Sequence, residues 1–225
     1  MIMLCFSSNV FCNIRRKAFT FAVVILLFIF VGIFLKFSLM RKANYIASAK
    51  LSSALTHILH GDHERGLDII DKIILQFSNT PSAYYGKLVK SDILVDKCMY
   101  NEALKILNEI LNNSNNKKVP DMIKPLVSSR IIHIYDYKKD YFSAIVAAKE
   151  FINKYPNHFL SGDICLNLAE HYVQIGFKNE AINILNNMLI KFPKVHGITE
   201  IVRSRLNYLT RGEFYGKDLI IKQTH

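Results

Sequence analysis

The chain of 225 residues has no tryptophan, nine glycines, five prolines and four cysteines, and carries no acidic side chain before Asp62. So little glycine and proline excludes a collagen-like or low-complexity chain. Four cysteines without a CxxC pair exclude a disulfide-dense scaffold and a zinc ribbon. There is no glycine-rich phosphate loop and no glycine-framed serine elbow, which removes the common nucleotide-binding and hydrolase signatures. What is present is apolar: 51% of the residues are hydrophobic, which excludes disorder as the state of the whole chain.

The missing acids explain the charge. The formal net charge is +11, from 29 Lys and Arg against 18 Asp and Glu. A global excess of that size would suggest a polyanionic partner. Yet residues 43–190 hold 16 basic and 15 acidic side chains. The excess sits instead at Arg15, Arg16, Lys17, Lys36, Arg41 and Lys42, and in a basic C-terminal stretch that includes Arg203, Arg205, Arg211, Lys217 and Lys222. A nearly neutral body neutralises few phosphates, so nucleic-acid binding ranks last.

The six N-terminal cations frame an uncharged apolar run from Ala18 to Leu35. As a helix it spans ~27 Å, close to the ~30 Å hydrocarbon core. Lys36 can snorkel, which extends the expected transmembrane helix to residues 18–40 behind a short basic tail at 1–17. A cleaved signal peptide is the rival, with Ala47-Ser48-Ala49 as a small-residue cut site. The run is longer than the usual apolar core of a signal, and the cut site lies well beyond it. Three basic residues on each side leave orientation undecided by charge.

From residue 43 to 209 the chain reads as a helical repeat. The small residues Gly66, Ala103, Ala144 and Ala181 recur at intervals of 37, 41 and 37, and Pro156 and Pro193 are also 37 apart. Such periods mean stacked helix pairs. A small residue on the second helix of a pair lets it approach the first. Leu168, Ala169 and Tyr172, beside Cys165, form the matching core stripe on the first helix of the last pair. Gly61 and Gly176 sit where a turn needs positive φ, Asp62 is placed to cap the following helix, and Thr80-Pro81 marks a helix start. The polar stretch from Asn112 to Pro120 accounts for the longer interval as an inserted loop. The expected fold is therefore all-α: a transmembrane helix, a solenoid of about four helix pairs, a capping helix near Ile198 to Leu209, and a tail at 210–225.

These residues resemble the tetratricopeptide repeat. Leu168, Ala169, Tyr172, Ala181, Leu185 and Pro193 match its pattern in the fourth unit, and Ile131, Ile132, Tyr135, Ala144 and Pro156 in the third. The second unit keeps Ala103 but has Lys90 and Ser91 where Leu and a small residue are usual, and the first has Gly66 for the key alanine. The layout of a basic anchor, a first helix ending Ile58-Leu59-His60-Gly61-Asp62 and a degenerate array is similar to the YfgM-like family of ancillary SecYEG translocon subunits, over roughly residues 15–210. That resemblance implies a single-pass bacterial inner-membrane protein with a periplasmic repeat domain. It also implies a protein-binding scaffold meeting translocon components, exported chains or periplasmic chaperones. A scaffold of another envelope complex, such as outer-membrane assembly, cytochrome maturation or cell division, has the same layout.

No catalytic, cofactor or metal site and no small-molecule substrate is expected. His57, His60 and His63 could converge on a metal, but their spacing crosses the Gly61 turn; Cys165 occupies a core position rather than a nucleophile's. A metal-dependent or thiol enzyme is thus the weaker reading. What a helix-pair stack offers is a concave groove lined by the first helices. The residues expected there are Tyr85, Asp92, Asp96, Arg130, His133, Asp136, Tyr137, Asn167 and Glu170, a mixture of charge and tyrosine that suits protein binding.

Overall fold

The computed structural model describes residues 3–113, 119–191 and 196–211, with side chains described from Ile25 onward except at Asn113 and His196. The described residues form α-helices joined by short turns: α1 (Met3–Leu59), α2 (His63–Gln76), α3 (Pro81–Asp96), α4 (Tyr100–Asn113), α5 (Ile123–Tyr137), α6 (Tyr141–Lys154), α7 (Ser161–Gln174), α8 (Lys178–Lys191) and α9 (His196–Arg211). They divide into two compact units, residues 1–82 and 83–225. Thr80 and Pro81 stand at the start of α3, and α9 spans the expected capping helix. The side chains of the tail at 1–17 lie outside the described residues, as do Pro193 and all of the C-terminal tail except Thr210 and Arg211, which belong to α9.

In the first unit, α1 runs without interruption through Arg41 and Lys42 into the segment that packs on α2. Ala47 and Ala54 on α1 and Ile70 and Ile73 on α2 are fully buried. Gly66 fits this interface because nothing larger would: a Cβ there would meet the Ile58 side chain at 2.4 Å and the Ala54 carbonyl at 3.0 Å. The unusual glycine of the first unit thus permits a closer crossing than alanine allows. Among the described residues no helix is long and apolar enough to cross a membrane; the side chains of Ala18 to Val24, the first part of the apolar run, lie outside them. Within the described part, every large apolar side chain from Ile25 to Met40 is more than half exposed.

In the second unit the core forms two clusters that meet at α5. Tyr84 and Leu88 of α3 and Ala103, Leu107 and Ile110 of α4 pack with Ile123, Val127, Ile131 and Ile134 of α5. Ile132, on the other flank of α5, joins Ala148 and Phe151 of α6, Leu168, Ala169 and Tyr172 of α7, Ala181, Leu185 and Met188 of α8, and Val202 of α9. Ala103, Ala144 and Ala181 are fully buried, as the repeat spacing requires. Ser91, the small residue of the second unit's first helix, is buried too and donates to the Leu88 carbonyl at 2.6 Å.

All four helix pairs turn by one device. Gly61, Cys98, Lys139 and Gly176 adopt left-handed conformations with φ of 84°, 59°, 57° and 84°. Each lies five residues before the small packing residue, so the two series share their intervals. The amide after each of them bonds back across six residues: Asp62 to His57, Met99 to Leu94, Asp140 to Tyr135 and Phe177 to Tyr172, at 2.8–2.9 Å. The left-handed residue's own amide bonds across four, to Ile58, Val95, Asp136 and Val173. This double closure is the Schellman motif. The next residue starts the second helix. Asp62 and Asp140 accept from the amides of Arg65 and Ser143 through their carboxylates, at 3.3 and 3.2 Å. Met99 and Phe177 occupy the same place in the other two pairs.

Candidate functional site

The first helices of the pairs in the second unit are α3, α5 and α7, and they carry all nine residues expected in the groove. Five of these, Asp92, Asp96, Arg130, His133 and Tyr137, line one open cleft of about 470 Å³ between α3 and α5. That volume is within the ~300–1,000 Å³ range of ligand pockets. A larger hollow of about 650 Å³ lies between α4, α5 and α6, and none of the nine residues lines it.

Register between α3 and α5 fixes the cleft's floor. Arg130 holds Asp92 with two parallel bonds, Nε to Oδ1 at 2.8 Å and Nη2 to Oδ2 at 2.9 Å. Such a fork is geometrically rigid, and it neutralises the Arg130 charge within the protein. Tyr137 stacks on Tyr100, with ring centroids 6.3 Å apart and planes inclined by 11°. Tyr85 reaches away, its hydroxyl 3.8 Å from the Met122 sulfur.

His133 reaches solvent at the cleft mouth, yet its walls crowd the ring. That desolvation holds its pKa below the ordinary imidazole value; Asp136 and Asp163 pull upward, Arg130 and His171 downward. Asp136 does not line that cleft: its side chain is 46% exposed and its Oδ1 lies 3.1 Å from Nε2 of the buried His171. An ionised carboxylate only accepts, so Nε2 carries the proton and donates. The second ring nitrogen, Nδ1, is buried with no hydrogen-bond partner. On α7, Asn167 is half-buried, and Glu170 is paired at 2.8 Å with Arg205 of α9.

Sequence patterning missed the cleft's apolar wall. Val95, Leu126, Phe159 and Leu160 all line it. Phe159 belongs to the α6–α7 loop, where no periodicity marks a position as inward or outward. It is 76% exposed and lies against the His158 ring, 4.4 Å between centroids. The one available signal was a large aromatic residue just after the helix-ending Pro156.

The other candidates have local roles. His57 Nδ1 lies 3.6 Å from Asp62, and His60 Nδ1 lies 2.7 Å from the Thr56 carbonyl. Among the described residues no group of three His, Cys, Asp or Glu side chains converges. Cys165 is buried in the core of the second unit, and burial pushes its thiol pKa up, with Lys191 partly opposing. That disfavours the thiolate a nucleophile needs.

No protein-family model matches the chain, and no curated protein matches it in sequence. Solved structures do match in fold. A putative kinesin light chain from Podosopora anserina with nearly identical TPR-like repeats superposes with a TM-score of 0.58 at 11% identity, over 72% of this chain and 84% of that one. A tetratricopeptide repeat protein from Parabacteroides merdae gives 0.56 at 12% identity, over 72% and 59%. MamA 41-end from Desulfovibrio magneticus RS-1 gives 0.53 at 14% identity, over 72% and 82%. At such identities the likeness speaks for the fold, and with the repeated turns and packing residues it establishes a tetratricopeptide-type array of helix pairs.

Proposed function

We propose that this chain is a membrane-anchored scaffold whose α3–α5–α7 face binds other proteins. The observation that carries the scaffold reading is the open cleft between α3 and α5, where a rigid Arg130–Asp92 fork sits beside exposed aromatic and carboxylate side chains. Nothing there resembles a catalytic constellation, while mixed polar and aromatic surfaces suit partner recognition. The anchor reading rests on the apolar run of α1, whose large apolar side chains from Ile25 to Met40 are all more than half exposed. Such exposure is costly in water and favourable in lipid. A retained anchor also fits the burial of Ala47, since cleavage after Ala49 would remove it from the first unit's core.

The finer reading places the chain in the bacterial inner membrane with its repeats in the periplasm. There it acts beside the Sec translocon and passes exported chains to periplasmic chaperones. The layout that resembles YfgM-like subunits supports this. Tethering confines the groove to a layer near the membrane and raises its effective concentration for partners there. Photocrosslinkers at Tyr85, His133 and Glu170 of the full chain test it in cells. Adducts with translocon subunits or exported chains are expected; adducts only with another envelope assembly would redirect the scaffold there, and none from any position would sink it. Alkaline carbonate extraction checks the anchor, with the chain expected in the pellet.

A further inference from the structure

We propose that the cleft between α3 and α5 takes a cationic segment of a partner protein, a lysine or arginine side chain reaching Asp96 and its apolar neighbours resting on Phe159 and Tyr137. The proposal rests on the scaffold reading and specifies its partner. Its first support is charge. Asp92 and Asp96 of α3 and Arg130 of α5 line the cleft, and Asp136 and Asp163 lie close enough to His133 to act on its titration. The single cation among these, Arg130, is held by both faces of its fork on Asp92, and Asp136 is engaged by His171. Asp96, which lines the cleft, forms no ion pair among the described residues. In a chain with a net charge of +11, the cleft's own lining holds two carboxylates to one cation.

The second support is the form of the wall. Val95, Leu126 and Leu160 give it an apolar base, and the exposed Phe159 ring stands at its edge. A lysine or arginine carries an apolar stem beneath a charged head, so it matches a slot of this kind at both levels. The guanidinium or ammonium can also rest on an aromatic face. An anionic segment would find repulsive carboxylates and no available cation, because Arg130 is already bound at both ends. His133 does not compete as an internal counter-charge: its depressed pKa leaves the ring neutral at neutral pH.

The test uses the full chain in lipid nanodiscs and two fluorescein-labelled ten-residue peptides of Ala, Leu and Lys or of Ala, Leu and Glu, read by anisotropy. The Lys peptide should bind and the Glu peptide should not. Asp96→Asn should weaken the Lys peptide about fivefold, a step typical of a well-placed ion pair. Glu109→Gln, an equal charge change on α4, should leave it unchanged. Equal binding of the two peptides, or equal losses in the two variants, would overturn the cationic assignment while leaving the groove a binding surface. Self-association weakened by Asp96→Asn would place a second copy in the cleft and overturn it too. If neither peptide binds while the His133 crosslinker still captures partners, this proposal falls and the scaffold reading stands; if both fail, both fall.

Discussion

Two kinds of residue set the local economy of this chain: those forced into left-handed turns and those forced into close crossings. Cys98 and Lys139 adopt positive φ with a Cβ, whereas Gly61 and Gly176 do so without one. The left-handed region costs a side-chain-bearing residue ~1–2 kcal/mol, of which glycine's greater freedom in the unfolded chain returns part. Lys139→Gly and Cys98→Gly should therefore each stabilise by ~0.5–1 kcal/mol, and Gly176→Ala should destabilise by a similar amount, measured by urea unfolding of the second unit's signal. Gly66 answers to space instead. Gly66→Ala gains helix propensity but must displace Ile58 and the Ala54 carbonyl, so a net loss of ~1–3 kcal/mol is expected, visible as faster hydrogen exchange in α2. His133 adds a pH term. Its folded pKa is depressed, so its contribution is fully present above the unfolded value of ~6.5. Below that the unfolded chain takes up the proton first, and stability is lost until the folded pKa is reached. His133→Gln should flatten the fall in stability below pH ~6.5, and an unchanged pH profile would contradict the assignment.

At the scale of elements, the helix pairs were largely legible because packing leaves a period. A small residue is needed wherever a second helix crosses its first, so Gly66, Ala103, Ala144 and Ala181 announce the repeat through their spacing alone. Half of the turns were legible too: Gly61 and Gly176 declare positive φ, whereas Cys98 and Lys139 adopt it under the pull of the same two closing hydrogen bonds, which leave no mark on residue type. The groove was legible by face and not by pairing. That α3, α5 and α7 present polar side chains follows from periodicity, but the fork joins Arg130 and Asp92, 38 residues apart in sequence, and depends on the register of their two helices. The position of Asp136 against His171 depends on the next pair in the same way. The helix starts show the same contrast. Asp62 and Asp140 cap their helices through carboxylates, and hydrogen bonding to Ser143 holds the Asp140 carboxyl below its usual value. Met99 stands in the same position without an acceptor. Met99→Asp should therefore stabilise α4 by ~0.5–1 kcal/mol, and Asp140→Ala should cost a like amount; thermal unfolding of the pair of variants reads both.

For the whole molecule, the absence of acidic residues before Asp62 has a consequence beyond the net charge. Three cations precede the apolar run and three follow it, so on the proposed anchor reading neither flank outweighs the other, although the folded unit that follows would then lie on a definite side. Orientation is set by the basic residues near the ends of a span, and acidic ones contribute little. With an even split the balance is delicate, and small changes in either flank become informative. If the repeats are periplasmic, Lys36→Gln, Arg41→Gln and Lys42→Gln together remove the charges opposing that orientation, and a C-terminal alkaline phosphatase fusion should keep or gain activity. Arg15→Gln, Arg16→Gln and Lys17→Gln together remove the charges that hold the N-terminus inside, and the same fusion should lose activity while a cytoplasmic fluorescent reporter gains it. A fusion inactive on the unaltered chain that gains activity only on loss of Lys36, Arg41 and Lys42 would put the repeats in the cytoplasm, leaving the cleft and its cationic preference intact but removing translocated chains from the list of partners it could meet.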